Sequence, residues 1–193
     1  MKGTRLDMKR IAFTSLLLSC LIGLLIATKP EARAQENAAK LFDFEASLAS
    51  WAVAPANPDA GALSAAVNQN GPSEHSLRID VSHPGWFGIN ESAAQLPISS
   101  DKVKNWIFVL SSTSEKTPVV VAFQVGSEYH WCQSSVHEIL PNSQKTLKLN
   151  FAAMLASKDA CMGSAPVDSS DVRGIWLYFG QEGTYFLDEL RAQ

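Results

Sequence analysis

Apolar residues recur at every second position along most of this chain, which restricts it to strands that bury one face. In Ser76-Leu77-Arg78-Ile79-Asp80-Val81-Ser82, the side chains of Leu77, Ile79 and Val81 share one side. His83-Pro84-Gly85 then gives a turn or bulge signal, and Trp86-Phe87-Gly88-Ile89-Asn90 resumes the alternation. Further strands are predicted over 105–112, 119–126, 129–136, 145–151, 172–180 and 184–191. The last two are joined by Gln181-Glu182-Gly183 at a hairpin spacing. Helix signals are confined to a turn or two over 151–157, and residues 52–66, rich in Ala, Pro and Asn, read as a long loop with one short strand. Many short strands with turns between them predict an all-β fold, a two-sheet antiparallel β-sandwich (jelly roll). A partly open barrel is the alternative.

The strand pattern starts only after a different kind of segment. Lys2, Arg5, Lys9 and Arg10 precede an apolar run over 11–27, and Ala32-Arg33-Ala34 offers an A-x-A cleavage site. Residues 1–34 therefore read as a signal peptide cleaved after Ala34, with Met8 as an alternative start. That leaves a single domain over 35–193, secreted or periplasmic. An uncleaved run would instead anchor the chain in a membrane, the one membrane contact expected. A lipoprotein reading at Leu17-Leu18-Ser19-Cys20 is weaker, because the residues after it stay apolar. Residues 35–193 hold 10 Lys/Arg and 17 Asp/Glu. So acidic a domain does not seek nucleic acid or anionic lipid. It suits neutral partners or cations. Cys132 and Cys161 remain after cleavage. An even pair in an oxidising compartment reads as one disulfide worth about 3 kcal/mol on the chain-entropy model, with two buried thiols as the competing reading.

Strand parity sorts the aromatic residues. Ile175, Leu177 and Phe179 share one face, and Trp176 and Tyr178 the other. Val119, Val121, Phe123 and Val125 make a core stripe opposite Gln124; Phe87 and Ile89 oppose Trp86 and Asn90; Tyr129, Trp131 and Gln133 oppose His130 and Cys132. Trp51 and Trp106 are expected in the core. Trp or Tyr thus stands beside Gln or Asn on the face away from the best apolar stripe. A sugar ring offers a C–H face to stack on such rings and hydroxyls for such amides. The candidate ligand-binding residues are Trp86, Asn90, Gln124, Tyr129, Trp131, Gln133, Trp176 and Tyr178. Parity groups them and leaves open which face is wet.

Three segments carry a resemblance. Leu41-Phe42-Asp43-Phe44-Glu45 with Trp51, Ser76-Leu77-Arg78-Ile79-Asp80-Val81, and Gly183-Thr184-Tyr185-Phe186-Leu187-Asp188-Glu189-Leu190 resemble, in order and spacing, the first, next long and closing strands of jelly-roll carbohydrate-binding modules with a galactose-binding-like fold. The pattern is nearest to modules of glucan- and mannan-degrading enzymes. The resemblance implies a polysaccharide or oligosaccharide ligand on the strands of Trp86, Gln124, Trp131 and Trp176. It also implies a structural calcium (Ca2+) held by Asp43, Glu45 and Asp188. Such modules usually adjoin a catalytic domain, so a separate glycan-degrading enzyme is an expected partner.

Catalytic alternatives have thinner support. A glycosidase needs two facing carboxylates, and Glu128, Glu138 and Asp80 are candidates only by elimination. Tyr178-Phe179-Gly180-Gln181 is similar to the Tyr-Phe-Lys strand of alginate lyases but lacks the Lys and a Gln-x-His partner. His75, His83, His130 and His137 show no triad logic, and no Gly-x-Ser-x-Gly occurs. No catalytic residue is assigned. The expectation is a non-catalytic module that stacks a β-glucan- or mannan-type polysaccharide; a small jelly-roll lyase or glycosidase, or an exported structural or protein-binding domain, is the alternative.

Overall fold

The computed structural model describes residues 39–42, 44–45, 48, 50–67, 74–93, 96–113, 116–157, 159–162 and 171–193. The expected signal peptide with its cleavage site, and Asp43, lie outside them. The strands are β1 (Ala39–Phe42), β2 (Ala52–Val53), β3 (Gly61–Val67), β4 (His75–Val81), β5 (Gly85–Asn90), β6 (Ile98–Ser99) and β7 (Asn105–Ser112). They continue as β8 (Thr117–Val125), β9 (His130–Gln133), β10 (His137–Ile139), β11 (Ser143–Asn150), β12 (Asp171–Phe179) and β13 (Gly183–Ala192), and the described residues include one short α-helix, α1 (Phe151–Leu155). Among the described residues, no helix is long and apolar enough to cross a membrane.

The strands form two antiparallel sheets. The first runs β11-β7-β13-β4-β3, with β1 on the far end of β13; the second runs β10-β8-β12-β5-β2, with β9 alongside β8 and β6 alongside β12. The expected sandwich is therefore the observed one. Its core follows the parity of the sequence. Val119, Val121, Phe123, Val125, Ile175, Leu177, Phe179 and Phe87 of the second sheet are fully buried, as are Leu77, Ile79, Trp106, Phe108, Leu110, Tyr185 and Leu187 of the first. Each such side chain contributes about 1.5–3 kcal/mol relative to an exposed one. Trp51 and Trp106 are both in this core, as expected.

Two local expectations are corrected. Residues 61–67 form an edge strand, not part of a long loop. Pairing with β4 from Gly61↔Val81 to Val67↔His75 overrides the weak strand preference of its Ala-rich sequence. Residues 129–136 are not one strand either. The pairing with β8 moves from Gln133↔Ala122 to His137↔Val119, so this side carries one residue more than β8. Ser134 fills the break: its N–H donates to the Val121 carbonyl at 2.7 Å, and its Oγ accepts from the Val121 N–H at 3.1 Å.

The predicted turn of helix is α1. Asn150 caps it by accepting from the Ala153 N–H at 2.9 Å, and Phe151 anchors it 5.3 Å from the Phe123 ring. Cys132 and Cys161 are disulfide-bonded across 29 residues, and the Gln133 N–H donates to the Ala160 carbonyl at 2.8 Å. The short strand β9 is thus pinned to the 159–162 turn. Reducing this bond should lower the urea unfolding free energy by about 2–4 kcal/mol; an unchanged midpoint after verified reduction would contradict that role.

Candidate functional site

The outer face of the second sheet is given by its register. One row runs Gln133, Ala122, Trp176, Gly88, Ala52; the next runs Trp131, Gln124, Gly174, Asn90; a third runs Val120, Tyr178, Trp86. Seven of the eight sequence-predicted ligand residues therefore lie on one face, opposite the core. Tyr129 reaches the same region differently. It is the last residue of the β8–β9 turn, in the left-handed region at φ 55°, not a strand residue as the alternation suggests.

Small residues shape the middle of this face. A Cβ on Gly88 would sit 2.7 Å from Cε3 of Trp176, and one on Gly174 would sit 2.2 Å from Oε1 of Gln124 and 3.0 Å from Nε1 of Trp176. The Trp176 indole thus lies against bare backbone on both flanks, and its Nε1 donates to Gln124 Oε1 at 3.3 Å. Ala54, Ala122, Trp86 and Trp131 pack around it, leaving it 7% exposed. Trp86 meets Trp131 edge-on, centroids 4.8 Å apart, and stands 5.2 Å from Tyr178. Trp131 Nε1 donates to Gln133 Oε1 at 3.4 Å. Trp86, Trp131 and Tyr178 are half-buried, and Gln124 and Gln133 are half-buried beside them.

At the Asn90 end the face opens into a hollow of about 530 Å³ lined by Asn90, Glu91, Ser92, Gln124 and Tyr129. Asn90 Oδ1 accepts from the N–H and Oγ of Ser92, at 3.1 and 2.6 Å. The Tyr129 hydroxyl donates to Glu91, which raises its pKa above the ordinary phenol value. The Arg173 guanidinium lies 5.6 Å from the centroid of the Tyr129 ring. It donates to both oxygens of Asp171, at 3.2 and 3.0 Å, and to Glu91 at 3.2 Å. The bonds to Asp171 foremost, then the Tyr129 hydroxyl and the charge of Glu91, hold its pKa above the usual guanidinium value. Glu91, Ser92, Asp171 and Arg173 escape strand parity because they sit in a turn or beside the β12 irregularity between Val172 and Gly174.

The acids considered for catalysis do not assemble. Asp80 lies on the first sheet, bonded to Arg78 and Thr184. Glu138 pairs with Lys116 near the start of β8, and Glu128 with His130 beyond its end. His83 likewise faces one carboxylate, Glu182, while His75 lies beside two, Glu45 and Glu74. Of the expected calcium ligands, Asp188 is fully buried in β13. It stands where the neighbour of β13 changes from β4 to β1, at a register shift against β7. A buried carboxylate there fits a hard cation. Glu45 is exposed and accepts from the N–H of His75 at 3.2 Å, with its other oxygen 3.0 Å from Nδ1; the bond to the His75 side chain lowers its pKa most.

No protein-family model and no curated protein matches this chain. Solved structures do. The chain is similar to the family 11 carbohydrate-binding module from Clostridium thermocellum in complex with a β-1,3-1,4-mixed-linked tetrasaccharide, at 14% identity and TM-score 0.54 over 80% of this chain and 94% of that one. It is similar to a non-crystalline cellulose specific carbohydrate-binding module, CBM28, at 13% identity and TM-score 0.54 over 78% of this chain and 90% of that one. It also matches an exo-β-agarase at 15% identity and TM-score 0.59, over 80% of this chain and 24% of that one. At these identities the likeness establishes the fold: the chain has the jelly-roll sandwich of carbohydrate-binding modules.

The Gly88 contact makes its own prediction. Gly88→Ala should destabilise the protein by about 1–3 kcal/mol and alter the near-ultraviolet circular dichroism of the Trp cluster; a wild-type spectrum and melting temperature would contradict the packing described.

Proposed function

We propose that this protein is a non-catalytic polysaccharide-binding module whose ligand lies on the outer face of the second sheet. One observation carries this: the half-buried rings of Trp86, Trp131 and Tyr178 share a sheet face with the amides of Gln124, Gln133 and Asn90. The apolar side of a pyranose ring stacks on the former, and its hydroxyls bond to the latter. Trp176, nearly covered, supports Trp131 and Trp86 from beneath and offers little ring of its own. The likeness to modules described with a mixed-linked β-glucan tetrasaccharide and with non-crystalline cellulose supports a β-glucan, with mannan as the second candidate. The scattered carboxylates favour binding over glycosidase chemistry.

A stacked sugar buries about 100 Å² of apolar surface, worth roughly 2.5 kcal/mol. Two or three stacks leave micromolar to millimolar affinity once association costs are met. Affinity electrophoresis through gels containing soluble β-glucan, mannan or xylan tests this directly. Retardation by one polymer, weakened about tenfold or more in Trp131→Ala and Trp86→Ala with the fold intact, is the expected result. Unretarded migration in all three polymers would overturn glycan binding and direct attention to turnover or to a protein partner.

The disulfide and the fold both suit an exported protein, secreted or periplasmic, that works beside a separate glycan-degrading enzyme. The calcium proposal rests on Asp188, with Glu45 as second ligand if it leaves His75. Ligand binding to the folded state alone adds about 2.7 kcal/mol at a hundredfold excess over Kd. Chelation should then lower the melting temperature, and added calcium should restore it. Equal melting temperatures with chelator and with calcium would end that proposal.

A further inference from the structure

The hollow at the Asn90 end of the aromatic face is acidic, which bears on the glycans that face admits; the inference rests on the glycan-binding proposal above. Glu91 and Asp171 share a single guanidinium, Arg173, so the trio carries a net negative charge. The adjoining turn adds Glu128, whose partner within the hairpin is His130, 3.3 Å away. Arg173 is committed, with Nε and Nη2 on Asp171, Nη1 on Glu91 and its plane near the Tyr129 ring. Among the residues that line the hollow there is no lysine or arginine, whereas the side chain of Glu91 is 43% exposed there.

The polar groups around Glu91 suit hydroxyls. The amide oxygens of Asn90 and Gln124 already accept from Ser92 and Trp176, which turns their amide nitrogens into the available donors. Tyr129 holds a left-handed backbone conformation that costs an ordinary residue on the order of 1–2 kcal/mol. Its hydroxyl bond to Glu91 and the guanidinium beside its ring hold it as one wall of the hollow. Strain retained at a cleft, with its side chain tied to the acid in question, points to a functional constraint at that place.

We infer that Glu91 is a specificity-determining residue, making the aromatic face select uncharged polysaccharide over chains that carry carboxylates. A sugar hydroxyl in the hollow meets donors and an acceptor. A sugar carboxylate there meets a like charge with no uncommitted cation in the lining. At the separations and dielectric of a protein surface, one such repulsion amounts to roughly fivefold in affinity at low salt and fades as salt is added.

The test compares hydroxyethyl cellulose with carboxymethyl cellulose of matched length, measuring dissociation constants by affinity electrophoresis at low and high salt. Wild-type protein should bind the neutral polymer at least fivefold more tightly at low salt, and the ratio should fall toward one at high salt. Glu91→Gln, which keeps an acceptor for Tyr129, should bring the low-salt ratio close to one. Equal binding of both polymers by wild type, or a ratio that Glu91→Gln and salt leave unchanged, would overturn the assignment while leaving glycan binding intact. Retention of neither polymer would overturn the assignment together with the β-glucan reading on which it is tested.

Discussion

The outer face of the second sheet is organised by one contact, the Trp176 indole against the glycine backbone of its neighbours. A tryptophan in the middle of a sheet would ordinarily stand away from it. Here Gly88 and Gly174 leave no Cβ in its path, and Gln124 fixes its Nε1. The ring then forms an apolar floor on which Trp86 and Trp131 can meet although β5 and β9 are separated by β8 and β12. The sheet is therefore apolar on both sides. Its inner side is a close-packed core, and its outer side is a small aromatic cluster with three rings still partly open. The proposed glycan surface is this half-buried aromatic cluster with the amides and charges that border it.

The division of labour between the two faces explains what the sequence disclosed. Alternation in the β8, β12 and β5 segments separated core residues from the Trp, Tyr, Gln and Asn set, because every second side chain of a strand shares a side. It could not say that the outer side stays open. That depends on the glycines that lay Trp176 down, and a glycine in a strand has several readings before its neighbours are known. The edge strand β3 was hidden because pairing with β4, not the preference of Gly-Ala-Leu-Ser-Ala-Ala-Val, makes it a strand. Tyr129 joined the set for the wrong local reason: a left-handed turn residue, not strand parity, brings it there.

The acidic hollow was the least legible part. Glu91 and Arg173 are 82 residues apart, and no motif pairs them. Antiparallel pairing of β5 with β12 brings them together, since Asn90 stands opposite Gly174. The same pairing links the two halves of the site. Gln124 holds Trp176 and also lines the hollow, so the aromatic floor and the charged end are one continuous surface. The disulfide fastens the opposite border: Cys132 lies between Trp131 and Gln133, and its bond to Cys161 fixes the strand that carries both.

The five tryptophans provide a direct internal comparison, two in the core and three on the outer face. Their indole N–H resonances, assigned by substitution, can be followed as a soluble cello-oligosaccharide is titrated to millimolar concentration. Ligand on the outer face predicts saturable shifts of Trp86 and Trp131, a smaller one at Trp176, and none at Trp51 and Trp106. If all five stay still with that ligand and with its mannan and mixed-linkage counterparts, the outer face is not a glycan-binding surface.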